Sequence, residues 1–137
     1  MISDNKVWDD HISHCRWAVL TTLRQKGSPV SSIVAYARDG DELVVSTTFY
    51  TFKVSSLKRN PRLNLCVFNN EEPFSFVAIE GEAAVEQDDN LVSNTRLVFD
   101  AIEGTGYREP EDLEGWLRSQ DRVILRIKPD RVYGVMR

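Results

Sequence analysis

The sequence predicts a mainly β protein: an antiparallel barrel or sandwich of six or seven short strands with short peripheral helices. Three observations carry this. Apolar, β-branched segments recur along the chain, and none is long. Turn residues separate them, as at Gly27-Ser28-Pro29 and Asp39-Gly40-Asp41. Helical periodicity is confined to the start of the chain, to the interval between the third and fourth strands, and to the stretch before the sixth. At 137 residues the chain suits one domain with its own core. Residues 1–15 would form an N-terminal helix and 16–135 the barrel with its inserted helices.

Taken in order, Ser3 can cap a helix through about His14, with Val7, Trp8 and Ile12 on its inner side. Trp17 to Leu23 reads as the first strand. Pro29 opens a second, Val30 to Tyr36, and Asp39-Gly40-Asp41 turns into a third, Glu42 to Thr47. Short turns make these three an antiparallel meander. A short helix, about Thr51 to Arg59, is stopped by Pro61. The fourth strand alternates Leu63, Leu65 and Val67 against Asn64, Cys66 and Phe68. A loop at Asn69 to Pro73 leads to a long fifth strand, Phe74 to Val85, with Gly81 as a bulge or bend. A helix over about Asp88 to Ala101 places Leu91, Thr95, Val98 and Ile102 on one stripe. Pro110 to Leu117 suggests another short helix. Arg122 to Lys128 is strand six, and Pro129 sets off a last short strand, Arg131 to Val135.

Composition is that of a water-soluble globular chain, 42% hydrophobic and 28% charged. A net charge of −4 argues against non-specific binding to nucleic acid or anionic membrane, while leaving room for a local basic pocket. Cys15 and Cys66 lack metal-type spacing. With no basic-then-apolar leader at Met1 to Lys6, a cytoplasmic location with reduced thiols is expected.

Chemistry concentrates between Leu43 and Pro61. A strand ends in Ser46, Thr47 and Thr48, and a helix with Lys53 in its first turn follows. Such a junction supplies free backbone N–H groups and positive potential, so hydroxyls and an ammonium converging there form a phosphate seat. Arg59, on the same helix, can reach the anion or pair with a carboxylate. Elsewhere the dull readings prevail. His11-x-x-His14-Cys15 reads as a solvated helix end, not a metal site. Gly104-Thr105-Gly106 is a linker, and the acidic stretch from Glu109 to Glu114 is a solvated helix start. Tyr107 and Trp116 could shape a substrate or interface wall, with core packing the default. No Ser-His-Asp, Cys-His or paired-carboxylate arrangement can be argued from spacing, so no residue is assigned a catalytic role.

The order of elements resembles the split β-barrel family of flavin and deazaflavin enzymes typified by pyridoxamine phosphate oxidase. It is most similar to the small bacterial coenzyme F-420-dependent oxidoreductases. The resemblance rests on Ala18 to Leu23 with Gly27-Ser28-Pro29, on Lys53 with Leu57-Lys58-Arg59-Asn60-Pro61-Arg62, on Glu80-Gly81-Glu82-Ala83, and on Arg122 to Leu125 with Val132-Tyr133-Gly134. It implies an FMN-binding type of split barrel and a homodimer with two cofactors in interface grooves. It places the cofactor phosphate near Lys53, Ser46, Thr47 and Thr48, and the ring system near Ser31 and Ile33. Many relatives carry an Arg two residues before the Lys; here that position is Thr51. The clamp then lacks one bidentate donor, or Lys58 or Arg59 replaces it. The implied activity is hydride transfer between bound coenzyme F-420, or alternatively FMN, and an unsaturated small molecule. A non-catalytic flavin- or haem-binding module is the reading from a different class.

Overall fold

A computed structural model describes all 137 residues, Met1–Arg137. Four helices and seven strands follow one another: α1 (Lys6–His14), β1 (Trp17–Leu23), β2 (Pro29–Ala35), β3 (Ala37–Asp39), β4 (Glu42–Thr48), α2 (Phe52–Arg59), β5 (Arg62–Phe68), β6 (Phe76–Glu86), α3 (Leu91–Ala101), α4 (Leu113–Ser119) and β7 (Arg122–Val135). The strands form one antiparallel sheet in the order β2-β1-β5-β6-β7-β4-β3. The sheet curls until β2 and β4 approach each other, which gives the expected mainly β split barrel.

Alternation builds the interior. Leu20 on β1, Leu43 and Val45 on β4, Leu65 on β5, Ile79 on β6 and Leu125 and Ile127 on β7 are wholly buried. Each such side chain contributes about 1.5–3 kcal/mol relative to exposure. Ile12 of α1 and Val54 and Leu57 of α2 join this core. A smaller cluster lies on the outer side, where Val98 of α3 meets Ala37, Val44 and Ile124. There Arg126 ties β3, β4 and β6 together through Asp39 (2.9 Å), Glu42 (3.1 Å) and Glu86 (2.8 Å).

Several sequence expectations need correction. The three-strand meander does not form. β1 and β2 are a hairpin, but at buried Tyr36, whose hydroxyl donates to the Ile12 carbonyl (2.6 Å), the chain turns away. It enters β3, and the β3–β4 hairpin, closed at Gly40 (φ 64°), pairs with β7 instead. The helix cap is Asn5, whose side chain accepts from the Val7 and Trp8 N–H groups, and Val7 is exposed. Burying Asp9 raises its pKa, but Arg38 and the N–H groups of Ser3 and Ile2 outweigh that and hold it below the usual range. His11 is buried, not solvated, and its Nε2–H donates to the Val67 carbonyl (3.2 Å).

The last two expected strands are one. Pro129 does not end β7, because a bulge carries the ladder past it: Glu80 pairs with Arg131 while Gly81 pairs with Pro129, leaving Asp130 as the extra residue. Arg62 holds the Asp130 carboxylate. The extra residue changes the phase of the strand. Val123, Leu125 and Ile127 point inward before it and Val132 after it, so Tyr133 and Val135 face out. No helix is long and apolar enough to cross a membrane.

Candidate functional site

Where β2 and β4 come together, a cleft of about 520 Å³ opens. Its floor is the β4–α2 junction that the sequence singles out. Ser46, Thr47 and Thr48 end β4, and Lys53 sits in the first turn of α2; all four line the cleft. Thr51 is spent on the turn itself: its hydroxyl donates to the Thr48 carbonyl (3.1 Å) and lies 3.4 Å from the Thr47 hydroxyl. No side chain caps α2, so its first N–H groups stay available to a ligand.

Of the residues read from sequence as cofactor contacts, Ile33, Ser46, Thr47, Thr48 and Lys53 meet in this cleft. Ser31 and Arg59 lie elsewhere. Ser31 is on the same face of β2 as Ile33 but two residues further along, and its hydroxyl engages that of Thr21 (2.7 Å). Arg59 donates to the Leu23 carbonyl (2.9 Å). Lys58 is turned onto the Phe49 ring, 3.9 Å from its centroid. Neither basic residue at the end of α2 takes the place of the Arg absent at position 51.

Sequence reasoning missed Arg122. It opens β7, pairs with Thr48 in the ladder and lines the cleft. Its Nη2 donates to the Ser46 hydroxyl (3.1 Å), and its guanidinium lies 4.5 Å from the Trp116 ring centroid. Its Nε is buried and has no partner. The signal was absent from sequence because only the pairing of β4 with β7 brings the two strand ends side by side.

The cleft is cationic in an acidic protein. Lys53, Arg108 and Arg122 line it, and no carboxylate does. Burial, with repulsion from Arg122 added, lowers the Lys53 pKa. Burial likewise disfavours the charge on Arg122. Two cations held together without a counter-ion, one with an unpartnered buried donor, suit an anionic group of a ligand.

The other wall is aromatic and comes from the α3–α4 excursion. Phe99 of α3 meets Trp116 of α4 edge-on at 5.7 Å, and Tyr107 meets Trp17 of β1 at 6.2 Å. Tyr107 and Trp116 therefore line the cleft in place of the core packing expected of them. Flat apolar walls beside an anion seat fit a molecule that joins a planar ring to a phosphate.

The family model described as pyridoxamine 5'-phosphate oxidase matches residues 5–136. No protein of curated function matches the chain in sequence. Among solved structures, an F420 reductase is similar at 22% identity and a TM-score of 0.73, over 92% of this chain and 95% of that one. A FAD-binding protein from Mesorhizobium loti is similar at 18% identity and 0.71, over 96% and 94%. A heme binding protein from Mycobacterium smegmatis is similar at 18% identity and 0.73, over 98% of this chain and 55% of that one. At these identities the likeness is one of fold.

Proposed function

This chain belongs to the pyridoxamine 5'-phosphate oxidase family, and from that premise we propose that it is an oxidoreductase transferring hydride between bound coenzyme F-420 and an unsaturated small molecule. The observation that carries a phosphorylated ring cofactor is the carboxylate-free pair of Lys53 and Arg122 at the β4–α2 junction, set beside aromatic walls, and the likeness to an F420 reductase supports the deazaflavin as that cofactor. The deazaflavin, when bound, supplies two-electron hydride chemistry. The chain's own part is to bind and orient. Lys53 and the hydroxyls of Ser46, Thr47 and Thr48 hold the phosphate, while Ile33, Phe99 and Trp116 flank the ring and exclude water. The proton that must follow the hydride onto the reduced double bond would come from solvent, and no cleft side chain is assigned that role.

FMN is the second reading. Two cations without a carboxylate suit a terminal phosphate bearing two charges, as FMN has. Haem fits less well. The two histidines, His11 and His14, are committed to the carbonyls of Val67 and Asp10, and neither lines the cleft.

The proposal includes a homodimer. On the outer face of the sheet, Ile33, Val19, Cys66, Ala78 and Tyr133 stand in one register row across β2, β1, β5, β6 and β7. Phe68, Phe76 and Val135 form the next row, with Trp17 and Ala35 at its β1–β2 end. Ile33, Tyr133 and Val135 are 67%, 41% and 40% exposed. An apolar face of this kind, adjoining the cleft, is what a second copy would cover.

The test is titration of the purified protein with coenzyme F-420, FMN and haem, followed by fluorescence and absorbance. Saturable binding of F-420, and repeated hydride transfer from its reduced form to an acceptor, is the expected result. Binding of FMN alone would select the second reading, and binding of haem alone would reject both.

A further inference from the structure

We propose that Arg122 is the second cation of the phosphate seat, reaching it from β7 and supplying the bidentate donor that Thr51 cannot. The inference rests on the cofactor reading above and adds to it the residue that sets phosphate affinity. Position, orientation and need all point to Arg122. In position, the Thr48–Arg122 pair sets its side chain beside the hydroxyl-rich end of β4, across from Lys53. In orientation, the bond to Ser46 and the face of Trp116 fix the plane of the guanidinium, so little side-chain entropy remains to be lost on binding. In need, Nε is a buried donor without an acceptor, and no carboxylate lines the cleft to neutralise the charge. A phosphate oxygen would satisfy the donor, and the phosphate charge would offset the mutual repulsion of Arg122 and Lys53.

The alternative is that Arg122 only braces Trp116 and the cleft wall. The two roles separate by ligand pair. FMN is compared with riboflavin, and coenzyme F-420 with its phosphate-free deazariboflavin, each titrated by fluorescence against the unaltered protein and Arg122→Gln. The expected result is a loss of about tenfold or more for the phosphorylated member of the pair, the worth of one charged hydrogen bond, with the phosphate-free member changed less than about twofold. An equal loss for both members would mean a bracing role and overturn the proposal, as would no loss for either. If Arg122→Gln does not fold, Arg122→Lys keeps the charge and most of the length but not the planar fork. It should weaken only the phosphorylated ligand, and by less; equal weakening of both overturns the assignment. An unaltered protein that binds neither phosphorylated cofactor more tightly than its phosphate-free partner sinks this inference and the cofactor reading together. A preference that survives undiminished in Arg122→Gln sinks this inference alone.

Discussion

Lys53 is a charge held where it is not at ease. Burial and the neighbouring Arg122 lower its pKa in the folded protein. The sign follows from linkage. A lysine depressed on folding favours the folded state at pH values above its unfolded pKa, and that gain is lost as pH falls through the folded pKa. Near neutrality the charged ammonium is therefore a cost to the free protein. Lys53→Met should raise the melting temperature of the ligand-free protein at pH 7, while weakening binding of a phosphorylated cofactor by about 1.5–3 kcal/mol. In the unaltered protein that affinity should decline as pH rises through the Lys53 pKa, and in Lys53→Met the decline from this group should vanish. Calorimetry with and without cofactor, repeated across pH, checks both. Of the residues at this site, Lys53 was legible from sequence because strand end, helix start and base are consecutive. Arg122 was not, being 69 residues further on and joined to the site only by strand pairing.

At the scale of elements, the burial rhythm of β1 and β5 was written in their alternation, and both have the bounds or pattern expected. Pairing was not written there. A period of two says which side of a strand is apolar but not which strand lies beside it. Three strands with short connections thus read as a meander, although the corner at Tyr36 sends β3 and β4 to the far edge. Pro129 likewise read as a terminator, because its missing N–H interrupts a regular ladder. The bulge removes that conflict, and Gly81 makes the bulge feasible. A Cβ at Gly81 would lie 2.4 Å from the Lys128 carbonyl oxygen, a backbone atom that cannot rotate away. Gly81→Ala should cost about 1–3 kcal/mol in overpacking and shifted backbone, measured as a lower denaturation midpoint. It should also disturb the outward placement of Tyr133, whose hydroxyl accepts from the Asn64 amide (3.2 Å).

The whole molecule carries −4 yet lines one cleft with Lys53, Arg108 and Arg122 and no carboxylate, so the bulk charge said little about the ligand. Bulk charge did argue against polyanionic partners, whose binding needs an extended basic surface. The cleft is also where two surfaces meet. Trp17, Ile33 and Ala35 belong to its wall and also stand on the outer side of the sheet, beside the exposed apolar rows. If that face is the contact between two copies, scattering at micromolar concentration should give twice the monomer mass, and Val19→Lys with Tyr133→Lys should give a monomer.

Sharing those three side chains has a thermodynamic cost and a benefit. If a second copy covers that face, whatever holds the copies together would also finish the walls around the ring, and occupancy and association would favour each other by the same factor. Dilution alone should then loosen the cofactor: an affinity measured at nanomolar protein should be weaker than one measured at micromolar. An affinity indifferent to dilution across the dissociation range would show that each copy binds by itself.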